Sequence, residues 1–137
     1  MDRFVKGFIV MSIVYLAVST VLGIAMVVSQ EMNAFRFVHS HLNMLGWVSM
    51  MIFGVGYHIL PRFVGRPLKH PLMGEIQFYV ANVGLVGMLL FYTLNAYNPS
   101  DTHVALTAIF GAMEGLSIFM FIYNMLVTIV PKTEMPH

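Results

Sequence analysis

At 137 residues, 58% hydrophobic and only 9% charged, with a mean hydropathy of +0.80, the chain is too apolar for a soluble domain of its size and reads as an integral membrane protein. A net charge of +1 builds no extended basic surface, which excludes nucleic acid as a partner. The absence of cysteine excludes disulfides, thiolate metal sites and cysteine-linked cofactors.

Asp2, Arg3 and Lys6 precede an apolar run from Gly7 to Val28. The run predicts a first spanning helix at about 5–29, retained because no A-x-A-type cleavage site follows it. A short polar connection, Ser29 to Asn33, leads to a second helix at about 36–61. Between its His41 and His58 lie sixteen residues, 42–57, without a formal charge. Pro61 should close that helix, since proline lacks the backbone donor and fixes its own dihedral. The basic segment Arg62 to Pro71 holds two further breakers, Pro67 and Pro71, and reads as a loop. A third apolar span follows at about 72–96. Asn98-Pro99-Ser100-Asp101 then makes a turn whose Ser and Asp are good N-caps for a fourth span at about 101–130, ended by Pro131. No repeat or linker divides the chain, so the expected fold is all-α: one four-helix transmembrane domain over 1–137.

Arg3, Lys6, Arg62, Arg66, Lys69 and Lys132 fall on the side of the two termini and the middle loop, against Arg36 alone on the other. This bias predicts cytoplasmic termini; the expected location is a bacterial or archaeal inner membrane. His39, His41 and His103 then lie near the outer face, His58 and His70 near the inner one.

Successive helical residues are rotated by about 100°, which puts His39 and His41 about 200° apart. They cannot chelate one metal ion together. They can present one imidazole to each of two sites on opposite faces, and a planar cofactor such as haem, ligated by one nitrogen per side, needs just that. Interfacial histidines are often only hydrogen-bonded to neighbours or water, but ionisable groups at membrane depth are costly and a pair facing opposite ways favours ligation. Arg36, three residues before His39 and about one turn nearer the aqueous boundary, suits the haem propionates; the competing role is snorkelling to lipid headgroups. Within one chain, His103 is the other outer-side histidine that could complete a haem with His39 or His41.

Glu114 is either a proton carrier or a neutral acid bonded across helices. Gly111 and Gly115 have the small-x-x-x-small spacing of close helix approach. The 13 methionines form no short-spaced cluster, and packing explains them better than copper. Trp47, Asn43, Asn82 and Asn124 read as packing and interhelical hydrogen bonding, and His70 and His137 receive no role.

His39-x-His41, a glycine-containing apolar run, then His58-x-x-Pro61-x-Phe63-x-Gly65 resembles the tenth transmembrane helix of haem-copper oxidase subunit I, the family of cytochrome c oxidases and nitric oxide reductases. The resemblance implies that His39 ligates the oxygen-binding haem and His41 the low-spin haem. That family has twelve helices and three copper-binding histidines on two other helices. This chain reads as four helices without a His-His pair, so no copper site carries over. Subunit I is similar to three arcs of four helices about a pseudo-threefold axis, and this chain looks like one arc. Three copies closing into a ring would let each second helix offer His39 to one neighbour and His41 to the other. The expected function is that of a membrane protein with bis-histidine haem b transferring electrons, from a redox partner or quinol. The alternatives are haem-based binding or reduction of nitric oxide or oxygen, as an oxidoreductase, and a cofactor-free structural or assembly protein.

Overall fold

The computed structural model describes residues 1–130; Pro131, Lys132 and His137, which carry expectations above, lie outside the described residues. Among those described, four helical stretches are long and apolar enough to cross a membrane. These are α1 (Arg3–Val28), α2 (Gln30–Phe63), α3 (Pro71–Tyr97) and α4 (Asp101–Ile129). There are no strands among them.

The helix ends differ from expectation for local reasons. Gln30–Phe35 is not a polar connection but a 3-10 helix that runs directly into α2, with the Asn33 side chain donating to Gln30 Oε1 at 3.2 Å. Pro61 lies inside α2, which continues to Phe63. What closes the helix is Gly65, whose φ of +65° is open to glycine at little cost. The Gly65 N–H bonds to Arg62 O at 3.1 Å and the Arg66 N–H to Pro61 O at 2.9 Å, the paired bonds of a Schellman cap. Pro71 breaks nothing: it is the first residue of α3, where its missing N–H costs nothing. Ser100 caps α4 by accepting from the Thr102 N–H at 3.3 Å, and Asp101 is the first helical residue.

The middle of α2 is the least regular part. Arg36–His41 is α-helical, Leu42–Ser49 is an eight-residue π-helix, and Met50–Phe63 is α-helical again. Ser49 Oγ donates to Met44 O, five residues back, at 2.8 Å. Wide turns of this kind are rare and gather at functional sites. His39 and His41 both precede the π segment, so their 200° separation stands, whereas the angle from them to His58 cannot be counted at 100° per residue.

Between membrane helices there is little hydrophobic drive, and close packing holds them together. The dense end of the bundle carries Arg3, Lys6 and the α2–α3 loop. There Phe8, fully buried, meets Phe53 edge-on at 5.5 Å and Phe78 at 5.2 Å, while Tyr57 meets Phe4 at 5.3 Å and Phe121 at 5.2 Å. A buried polar chain ties the same end together. Tyr57 Oη donates to Gln77 Oε1 at 2.5 Å, and the Asn124 amide donates to Tyr57 Oη at 3.5 Å and to His70 O at 2.8 Å. Further out, Tyr15 Oη donates to Asn82 Oδ1 at 2.7 Å. Asn82 and Asn124 thus bond between elements as expected. Asn43 does not: its amide donates to His39 O at 3.1 Å within α2. Trp47 is 36% exposed and sits at the surface, not in the packing.

The close approach of α3 and α4 is not made by Gly111 and Gly115. A Cβ on Gly115 would meet nothing within 4 Å, and one on Gly111 only the flexible Met88 side chain, its sulfur at 3.3 Å. A Cβ on Gly84 would lie 2.8 Å from the Glu114 nitrogen and 3.1 Å from Phe110 O. Gly84 lets backbone meet backbone, and the α4 glycines face elsewhere because the helix is rotated to turn Glu114 and Ser117 inward.

Candidate functional site

The two imidazoles of the His-x-His lie on opposite walls of α2, His39 set by α1 and His41 by its own helix. His39 faces α1, where Ser19 and Gly23, four apart, form a notch. A Cβ on Gly23 would come within 2.8 Å of His39 Cε1. His39 Nδ1 lies 3.0 Å from Ser19 O and 3.2 Å from Ser19 Oγ. A carbonyl can only accept, so Nδ1 carries the proton and Nε2 is left as an acceptor. The Asn43 amide donates to that nitrogen at 3.2 Å.

His41 faces α3. Its ring stacks on Phe37, one turn earlier, with centroids 3.8 Å apart, and Phe37 stacks in turn on Tyr92 at 3.7 Å and 14°. Nδ1 donates to Phe37 O at 2.8 Å, which fixes the tautomer and leaves Nε2 with a free lone pair. No described residue bonds to that nitrogen. A backbone carbonyl on one ring nitrogen and an open second nitrogen is the arrangement that orients histidine as a metal ligand.

His103 is in the same electronic state, with Nδ1 donating to Asn98 O at 2.9 Å. It tilts against Phe91 at 6.3 Å, next in sequence to Tyr92. Successive helical residues point about 100° apart, so His103 and the Phe37–His41 stack approach α3 from different sides. The structure brings His103 into contact with neither His39 nor His41. Among the described residues no three His, Cys, Asp or Glu side chains converge as a metal site. Arg36 is exposed and is the first residue of the Arg36–His41 segment of α2. An apolar groove of about 580 Å³ opens between α1 and α2 beside this region, lined by Val21, Leu22, Phe35, Val38 and Leu42 among others.

The remaining candidates separate from this cluster. His58 pairs with Arg62, one turn on, through its ring nitrogens at the opposite end of α2. His70 is held by its backbone to Asn124 and its ring stacks on Tyr123 at 6.0 Å. Glu114 is 2% exposed, and neither of its carboxyl oxygens has a hydrogen-bond partner among the described residues, so of its two alternatives the bond across helices is not made there.

Sequence reasoning missed the residues that aim the imidazoles. Phe37 was legible as the i−4 neighbour of His41, and Ser19-x-x-x-Gly23 as a small-residue notch. Asn43 was legible in the same way as the i+4 neighbour of His39, whereas Tyr92 had no local signal distinguishing it from other aromatic residues.

Comparison with known proteins gives the same direction. The family described as Cytochrome C and Quinol oxidase polypeptide I matches residues 3–137. The chain is 31% identical over 86 residues to the Cbb3-type cytochrome c oxidase subunit CcoN1 of Stutzerimonas stutzeri, covering 58% of this chain and 18% of that protein. It therefore spans about a fifth of the length of that curated relative. No solved structure matches. A family match over nearly the whole chain, together with helices that cross the membrane and a His-x-His set on opposite walls of one of them, places the chain in the cytochrome c and quinol oxidase subunit I family.

Proposed function

We propose that the chain binds haem b through His39 and His41 and passes electrons within the membrane. The observation that carries this reading is His41: its Nδ1–H is spent on Phe37 O, its plane is held by a three-ring stack, and its Nε2 is open. His39 has the same tautomer, but Asn43 must turn aside before Nε2 can reach a metal. An i+4 amide on a helix surface can do so by a rotamer change. The apolar groove between α1 and α2, lined by Phe35, Val38 and Leu42 from α2, offers a surface for a macrocycle, and the exposed Arg36 offers a bidentate partner for a propionate. Haem iron bound between two imidazoles supplies a one-electron couple with no open coordination position, which suits electron transfer and not gas reduction.

Because His39 and His41 face different walls, each bound iron needs a second ligand from elsewhere. A ring of three copies would supply it, in the manner of the three arcs of the subunit I family, in an inner membrane with the termini on the cytoplasmic side. Within one chain, His103 is the competing ligand, favoured by its own unbonded Nε2. A quinol or protein redox partner would be the electron source.

The test is the absorption spectrum of the purified protein, oxidised and dithionite-reduced. A low-spin haem b spectrum is expected, abolished or converted in His41→Ala and His39→Ala. An unchanged spectrum in both single variants refutes the assignment. Haem-loaded monomers in native mass spectrometry refute the ring, and loss of the spectrum in His103→Ala alone transfers the ligand role to His103.

A further inference from the structure

We propose that the α2–α3 loop and the adjoining face of α4 form a binding site for an anionic phospholipid, holding its phosphate between Arg66 and Lys69 and an acyl chain along α4. This site lies at the opposite end of the bundle from His39 and His41 and does not depend on haem. A cavity of about 760 Å³ opens there, lined by Arg66, Lys69, His70, Tyr123, Leu126 and Val130 among others. Among the described residues its lining carries two permanent positive charges and no acid. Neither the Arg66 guanidinium nor the Lys69 ammonium bonds to any described residue, and both are exposed.

The loop that carries them is fixed in place. Gly65 and Arg66 close the Schellman cap of α2. The Lys69 N–H donates to Thr128 Oγ1 at 3.1 Å and the His70 N–H to Asn124 Oδ1 at 3.2 Å, while the Asn124 amide returns a bond to His70 O at 2.8 Å. Thr128 Oγ1 donates to Asn124 O at 2.7 Å, so the whole clamp rests on one turn of α4. Binding there would not have to order the loop first.

The other wall of the cavity is apolar. Tyr123, Leu126 and Val130 are 51%, 55% and 58% exposed on the outward side of α4. A soluble anion would use the cations and leave this wall idle, whereas a phosphodiester with acyl chains meets both halves. Basic pockets at the end of membrane helices take anionic headgroups for this reason.

Native mass spectrometry of the delipidated full-length protein, with phosphatidylglycerol or phosphatidylcholine added back, tests the proposal. The parent should retain one tightly held phosphatidylglycerol, and phosphatidylcholine should be held about tenfold or more less well. Arg66→Gln with Lys69→Gln should lose that lipid, and Arg66→Lys with Lys69→Arg should keep it. Both side chains are exposed, so neither pair disturbs packing. Equal phosphatidylglycerol retention by the parent and the neutral pair overturns the proposal. So does glycerol 1-phosphate displacing the lipid at equal concentration, which would mean that the site selects a soluble phosphate and not a lipid.

Discussion

Gly84→Ala puts one methyl group into the tightest backbone contact between α3 and α4. The added Cβ would stand 2.8 Å from the Glu114 nitrogen, 3.1 Å from Phe110 O and 3.2 Å from Glu114 Cα. All three are backbone atoms, so no rotamer change relieves the clash and the helices must part by about 1 Å to reach ordinary carbon contact distances of about 3.5–4.0 Å. A gap of that size forfeits roughly a quarter to a half of each heavy-atom contact of about 0.1–0.2 kcal/mol. Spread over about thirty atom pairs along the seam of Ala81, Leu85 and Met88, the loss is about 1–2 kcal/mol, within the usual cost of overpacking. Gly115→Ala is the control, since its Cβ meets nothing within 4 Å and alanine is the better helix former by about 1 kcal/mol. Thermal unfolding in detergent, followed by circular dichroism, should show Gly84→Ala several degrees below the parent and Gly115→Ala at or above it. Equal midpoints for Gly84→Ala and the parent would refute the packing argument, and a larger loss in Gly115→Ala would reverse the assignment of the seam.

The proposed haem site and the loop clamp give three further predictions. Arg36→Gln removes a positive charge near the proposed propionates, which favours the oxidised iron; the midpoint potential should fall by on the order of tens of millivolts in a redox titration, and an unchanged value at full haem content would break the pairing. Phe37→Leu removes the ring against which His41 stacks while its own carbonyl still holds Nδ1, so haem should remain but the low-spin electron paramagnetic resonance signal should shift; an identical signal would deny the stack any role in setting the imidazole plane. Asn124→Leu deletes both bonds to the His70 backbone, about 1 kcal/mol each, and trypsin should cut after Lys69 faster than in the parent, with an equal rate counting against the clamp.

What the sequence determined by itself follows from one-dimensional rules. Uncharged apolar runs of bilayer length announce spanning helices wherever they occur, and the 100° step of the α-helix separates His39 from His41 because both stand in regular helix before the π segment begins. The family was legible for the same reason, its motif lying within one short stretch of α2. Tertiary structure decided the rest. Gly65 and not Pro61 ends α2, because a proline already inside a helix loses one bond but only a residue free to adopt positive φ can fold the chain back onto the last carbonyls. Gly84 and not the Gly111–Gly115 pair makes the close seam, since a small-residue spacing marks a face that could approach another helix, and the rotation of each helix about its axis depends on every other contact. His41 has an open nitrogen while that of His39 is taken, a difference set by Phe37, Tyr92, Ser19 and Asn43, and the groups from α1 and α3 come near α2 only when the helices pack.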